Sequence, residues 1–150
     1  MQQPEYTIST DQSLFDVEMI YSFLTACYWA EGIPRDVVQR SIENALCFGI
    51  FEGDAQVGFA RVITDRATYA YIGDVFILES HRRRGLGKRL MQAIMEHSEL
   101  QGLRRWSLVT SDAHGLYEQF GFTALARPQD YMELRDPDVY KRAKRKTDSE

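Results

Sequence analysis

Val75-Phe76-Ile77-Leu78-Glu79-Ser80-His81-Arg82-Arg83-Arg84-Gly85-Leu86-Gly87-Lys88-Arg89-Leu90 decides how the rest of this chain is read. A β-rich run ends in a polar, basic loop. Two glycines then stand at the start of a helix whose buried side is marked by Leu86, Leu90, Ile94 and Met95. The first N–H groups of a helix have no partner inside it and carry partial positive charge, and glycine lets an anion approach the backbone closely. Arginines beside such a helix start add bidentate phosphate contacts. The junction therefore predicts a phosphate cradle; the plainer alternative is a solvated basic turn. A dinucleotide-binding loop fails for want of a third glycine, and a Walker A loop fails because Gly87-Lys88 is followed by Arg89, with no glycine at the required earlier position.

Upstream of the junction, Tyr6 to Thr10 reads as an edge strand, with Asp11 or Ser13 as the cap of a following helix. Leu14, Val17, Tyr21, Leu24 and Tyr28 recur at helical spacing on that helix. Gly32-Ile33-Pro34 breaks it, and Pro34 opens a second helix through Val37, Val38, Ile42 and Ala45. The period then changes. Cys47 to Phe51, Val57 to Ile63 and Tyr69 to Leu78 are rich in β-branched and aromatic residues and read as an antiparallel meander. Downstream, a helix is expected from about Gly85 to Leu100, a strand at Arg105 to Thr110 and a helix from about Ser111 to Phe120, stopped by Gly121. Strands follow from Phe122 and at Asp130 to Leu134, then a charged segment from about Asp136 that reads as a frayed helix or a disordered tail.

With 150 residues, 44% hydrophobic and 27% charged, the chain is expected to form one domain over 1–135, followed by a charged tail at 136–150. No apolar run approaches the roughly 20 residues of a membrane span, and Met1 to Asp11 does not read as a secretory signal. Cys27 and Cys47 lack metal-ligand spacing and are too few for a disulfide framework, so a reduced, cytoplasmic setting without a metal is expected. A net charge of −4 gives no general attraction for nucleic acid. The cations nevertheless cluster, at Arg82-Arg83-Arg84 with Lys88-Arg89 and at Lys141-Arg142 with Lys144-Arg145-Lys146. A nucleic-acid-binding protein built on these clusters is the remoter alternative.

Taken from Arg82, the spacing Arg82-x-x-Gly85-x-Gly87 resembles the acyl-CoA pyrophosphate loop of the GNAT superfamily of N-acetyltransferases. A second segment, Trp106 to Phe122, resembles that family's other signature, a strand leading into a helix that carries a tyrosine shortly before a Gly-Phe pair. Ala113, Tyr117, Gly121 and Phe122 keep the pattern. Thr110 departs from it, standing where many members have asparagine, so any coenzyme contact of that amide is replaced by a hydroxyl or lost. The resemblance covers roughly residues 6 to 134. It implies an α/β fold of the mixed α+β kind, with a mostly antiparallel twisted sheet of about six to seven strands and about four flanking helices.

By the same resemblance, acetyl-CoA is the cosubstrate and no metal is needed. The pantetheine arm would pair with the main chain of Phe76, Ile77 and Leu78, with the amide near Ile77 or Leu78 facing the thioester oxygen. Arg82, Arg83, Arg84, Gly85, Leu86, Gly87 and Lys88 would hold the pyrophosphate, with Thr110 and Ala113 nearby. Tyr117 is the candidate general acid, set against a reading as a packed aromatic. Asp74 shares a strand face with Ile72, Phe76 and Leu78 and is the candidate base, set against a buried acid held by backbone or by Arg61. Tyr28, Trp29 and Arg35, in the connection of the first two helices, are the candidate acceptor contacts, set against a well-packed turn; aromatics with an acid there would suit a cationic amine. The expected partner is a small-molecule or peptide amine, not nucleic acid or membrane. A homodimer stays open, as does a nonenzymatic acyl-CoA-binding module.

Overall fold

A computed structural model describes residues 5–148, with side chains through residue 143; Lys144, Arg145 and Lys146 of the second basic cluster lie outside the described side chains. One five-stranded sheet organises the chain: β1 (Tyr6–Ser9), β2 (Leu46–Glu52), β3 (Ala55–Thr64), β4 (Tyr69–Ile77) and β5 (Arg105–Leu108), in that spatial order. The first four are antiparallel neighbours and β5 runs parallel to β4. This parallel step needs a crossover, which α3 (Leu86–Glu96) provides. The mixed α/β architecture is as expected, with fewer strands than the six to seven anticipated. Neither Phe122 onward nor Asp130 to Leu134 pairs into the sheet. Pro128, which lacks an N–H, opens a 3-10 turn over Pro128–Asp130 between them.

Each face of the sheet carries its own core. On one, Leu86, Leu90, Met91 and Ile94 of α3 are buried against Phe48, Ile50, Val62, Ala70 and Ile72. Each such side chain contributes about 1.5–3 kcal/mol on burial, so the helix that begins at the glycines is firmly seated. The other core lies beneath α1 (Val17–Ala26) and α2 (Arg35–Glu43), where Ile20, Leu24, Val38 and Ile42 meet Phe59 and Phe76. Asp16 caps α1 by accepting from the Met19 N–H, whereas Asp11 caps the 3-10 turn before it. The helix therefore starts later than expected. Ile20 and Leu24 form its buried face, and Leu14 and Tyr28 are exposed. Pro34 stands immediately before α2, as expected.

Past β5, α4 (His114–Glu118) is short and ends at Gly121, whose φ of +92° suits a helix stop. The tail forms α5 (Val139–Asp148), and Tyr140 packs into the core beneath α1 and α2. Among the described residues, no helix is long and apolar enough to cross a membrane.

Candidate active site

The sheet splits along one side of β4. Tyr69 to Ile72 pair with Arg105 to Leu108, and there the pairing stops. From Gly73 to Ile77, β4 has β3 on one side and no strand on the other. Leu78 N–H donates to the Val57 carbonyl at 2.8 Å, and Ile77 stands opposite Gly58. By the alternation of an antiparallel ladder, the main-chain groups of Phe76 and Leu78 are turned to β3, and the N–H of Ile77 faces the split. Of the three residues expected to line it with main-chain groups, Ile77 is the one so oriented. The Leu78 amide is already engaged.

At the near lip lies the loop into α3. Gly85 caps the helix in the left-handed region at φ +74°, and a Cβ there would meet open space. At Gly87 an added Cβ would find only Leu116 Cδ2, at 3.7 Å, so the room above this backbone is free. Among the described residues, none of the N–H groups from Arg83 to Lys88 has a hydrogen-bond acceptor. This is an anion cradle in the physical sense: successive unpaired donors at the positive end of a well-seated helix. The cations around it divide. Arg84 donates to the Tyr6 hydroxyl at 2.7 Å and to the Ser80 carbonyl at 3.4 Å, and Arg89 donates to the Tyr6 carbonyl at 3.1 Å. Arg82 folds back onto the Ile77 carbonyl at 3.1 Å. Arg83 and Lys88 have no hydrogen-bonding or ionic partner among the described residues, which leaves them available to an anion. His81 Nε2, 2.9 Å from Glu52 Oε2, ties the loop to β2. Tyr6 and Glu52 carry no local signal of this role, because both act on the loop from distant strands.

At the far lip, Thr110 Oγ1 accepts from the Ala113 N–H at 3.0 Å, so its hydroxyl shapes the turn into α4. Tyr117 on α4 is buried, with Phe122 edge-on at 6.1 Å. Its hydroxyl has no hydrogen-bond partner among the described residues and is not sealed from solvent. Burial, with a smaller push from the Asp112 charge, raises the pKa of the phenol above its usual value, favouring the protonated form.

Asp74 occupies a β-bulge. Phe59 pairs with Phe76 and Arg61 with Gly73, so Asp74 and Val75 together oppose Ala60. The extra residue, at φ +53°, reverses the alternation. Ile72 therefore packs beneath α3 and Phe76 beneath α1 and α2, and Asp74 does not share one continuous face with both. Arg61 Nε lies 2.8 Å from Asp74 Oδ2, with the two side chains 20% and 10% exposed, and Trp29 Nε1 donates to Asp74 Oδ1 at 2.9 Å. Both carboxylate oxygens are thus engaged. Tyr28 packs edge-on against Trp29 and shares a 2.7 Å hydrogen bond with Ser111, linking the α1–α2 connection to the end of β5. A cavity of about 510 Å³ opens beside Tyr28 and Trp29, walled by Tyr140 on α5. Arg35 is not among its lining residues and pairs with Glu18 of α1.

The split offers a bare strand edge beside an anion cradle. The chain belongs to the acetyltransferase (GNAT) family, whose sequence profile matches residues 15–122. It is a GNAT-type N-acetyltransferase, and the family uses acetyl-CoA. A crystal structure from Xanthomonas campestris pv. campestris, classed in the same family, shares 53% identity over 93% of this chain and 99% of that one, with a TM-score of 0.89. A protein of Gibberella zeae classed as an acetyltransferase is 32% identical over 136 residues, 75% of this chain and 76% of its own length. A Clostridium acetobutylicum protein crystallised with acetyl-CoA has the same fold, at 15% identity and a TM-score of 0.62 over 89% of this chain and 96% of that one.

Proposed function

We propose that this chain transfers the acetyl group of acetyl-CoA to the primary amine of a small molecule or peptide, by direct attack on the thioester in a cytoplasmic setting. The observation that carries the reading is the row of unpaired N–H groups from Arg83 to Lys88 beside a strand edge freed at Gly73 to Ile77. An acyl carrier has a pyrophosphate for the first and an amide-bearing arm for the second. The fold shared with a protein crystallised with acetyl-CoA supports the same placement.

Acetyl-CoA supplies an activated acyl carbon; the residues bind, orient and move protons. The Ile77 N–H is turned to donate to the developing oxyanion. The step forms a C–N bond and breaks the C–S bond. Tyr117 gives its hydroxyl proton to the departing sulfur and is reprotonated from solvent, while the proton of the acetylated ammonium leaves to water. The raised pKa of Tyr117 suits a donor that must hold its proton until that moment. Asp74, with Arg61 and Trp29 on its two oxygens, is a positioning residue that sets the indole at the acceptor cavity. Two free thiols, Cys27 and Cys47, support the reduced setting. The test is coenzyme A release from acetyl-CoA over a chemically diverse amine panel, with product masses measured. Binding of acetyl-CoA without turnover on any amine would refute the enzyme and leave a binding module.

A further inference from the structure

Helices α1 and α2 cover only part of the sheet face on which they lie. On β3 their core reaches Phe59 and on β4 Phe76, and neither core includes Ile63, Tyr69, Tyr71 or Ser107. These four share the helices' side of the sheet, because Val62, Ala70, Ile72, Trp106 and Leu108 alternate with them and pack toward α3. Ile63 stands opposite Tyr71 and Tyr71 opposite Ser107, which makes one row across β3, β4 and β5. Ile63 and Tyr69 are 45% and 39% exposed, and Val109, just past β5, is 83% exposed. Single exposed apolar side chains are ordinary, but a contiguous set on a strand face marks a contact surface.

This face runs into the reaction site. The Tyr71 ring leans along β4 over Gly73, where an added Cβ would stand 3.3 Å from Tyr71 Cε1. Gly73 is the first residue of β4 without β5 beside it, and Asp74, which holds Trp29, follows. The hydroxyls differ in state. Tyr69 shares a hydrogen bond with Ser107, whereas the Tyr71 hydroxyl has no partner among the described residues and is not sealed from solvent. Burial, and then the Asp74 charge, raises the pKa of the Tyr71 phenol above its usual value, so it stays a neutral group. The charges on this face cancel. Arg61 and Asp74 pair at 2.8 Å, and Arg105, opposite Tyr69, is turned over the Tyr131 ring. What remains is ring, methyl and hydroxyl, with no unpaired carboxylate among these residues to hold a second ammonium.

The geometry points to this face as the seat of the acceptor's body: the amine that the protein acetylates is a monoamine carried on a flat apolar ring, and not a polyamine or an amino sugar. Its ring packs against Tyr71 and Ile63, and its amine is directed past Gly73 along the free half of β4. A body bearing further charges would lose water here and find no partner. Tyr71 thereby sets specificity and takes no part in proton transfer. The inference rests on the acetyl-transfer reading for its reaction and adds to it the class of acceptor.

With acetyl-CoA and the full chain, kcat/KM for phenethylamine should exceed that for ethylamine, the same amine without its ring, by about tenfold or more, and should exceed that for spermidine. Tyr71→Ala should erase the margin by raising KM at nearly constant kcat, whereas Tyr71→Phe keeps the ring and should keep the margin. Ile63→Glu alters the same face at an exposed side chain, outside both cores, and should raise KM for phenethylamine while spermidine gains. Acetyl-CoA affinity should be unchanged in all three variants. A readout independent of turnover is NMR of the protein loaded with coenzyme A, which has no acetyl group to give: added phenethylamine should shift the resonances of Ile63, Tyr71 and Ser107. An equal or greater kcat/KM for ethylamine or spermidine, a Tyr71→Ala variant that keeps the margin, or shifts confined to other residues would each overturn the inference. Shifts on this face without turnover on any amine would uphold the seat and sink the transfer reading instead.

Discussion

The two halves of β4 have the same neighbour on one side and opposite circumstances on the other. Ala70 to Ile72 lie between β3 and β5. Gly73 to Ile77 keep β3 alone, and the changeover falls next to the bulge at Asp74. The paired half behaves as core: Ala70 and Ile72 are almost completely buried beneath α3. The free half presents the Ile77 N–H to the split and bears Asp74, which holds Trp29. A sheet must normally satisfy both edges of an internal strand, and here that requirement is suspended over a few residues where a ligand can meet it instead. The proposed chemistry lies where the pairing stops.

The largest effect is expected at Tyr117, the proposed acid. Tyr117→Phe removes only the hydroxyl, so turnover should fall by about 10²-fold or more while acetyl-CoA affinity changes little, both measured on one preparation. Loss of binding and turnover together would point to a packing tyrosine. Because burial raises the phenol's pKa, Tyr117 stays protonated past its usual titration range, so the parent's pH–rate profile should show no loss attributable to it below pH 10. A limb at lower pH that disappears in Tyr117→Phe would contradict the assigned environment.

Next comes a test of how rigid the free half is. A Cβ on Gly58 would stand 2.6 Å from Ile77 Cδ1, 2.7 Å from Ile50 Cγ2 and 2.9 Å from the Phe76 carbonyl oxygen. The side-chain tips can move, but the carbonyl belongs to the ladder. Gly58→Ala should therefore lower the unfolding free energy by about 1–3 kcal/mol in urea titration, the usual cost of overpacking. If stability is unchanged, β4 yields toward the open split, and its free half is softer than its pairing with β3 implies.

Gly87→Val probes the anion cradle. An added Cβ meets nothing closer than Leu116 at 3.7 Å, so the fold should tolerate the change while the larger side chain occupies the approach to the unpaired N–H groups. Acetyl-CoA affinity should drop by about tenfold, roughly what one or two lost charge-assisted contacts cost. Equal affinity in a calorimetric titration would remove the cradle assignment.

What the sequence disclosed follows from which signals are local. The strand-to-helix junction was readable because glycines, arginines and the Leu86, Leu90, Ile94 spacing all act within about four turns, and the meander because its hairpin turns are short. The bulge was not. One extra residue inverts the parity of every later side chain on β4, and nothing in Gly73-Asp74-Val75 announces that it is there. The first helix begins a turn later than its spacing suggests, because Leu14 and Tyr28 extend the spacing of Val17, Tyr21 and Leu24 at both ends, but Asp16 supplies the cap. The strand expected from Phe122 finds no place in the sheet, because pairing depends on a neighbouring edge that a single sequence does not describe. Similarly, the contacts of Asp74 with Trp29 and of Arg84 with Tyr6 span 45 and 78 residues.

The smallest effect is expected at Asp74, and it decides which part of the free half does chemistry. Asparagine tolerates the left-handed conformation that Asp74 adopts at φ +53°, so Asp74→Asn leaves the bulge unstrained. It keeps an oxygen for the Trp29 indole and removes the charge facing Arg61. Were Asp74 the base, losing it would cost about 10²–10⁴-fold in turnover and erase the acidic limb of the pH–rate profile. As a positioning residue it should leave turnover within about threefold and the profile unshifted, while KM for the amine rises as the indole loosens. Trp29→Phe, which keeps a ring but has no N–H to donate, should reproduce the same rise in KM. Combining the two should add little, because both weaken the same Trp29–Asp74 contact. A large fall in turnover for Asp74→Asn with Trp29→Phe unaffected would instead assign proton transfer to the carboxylate, despite its pairing with Arg61.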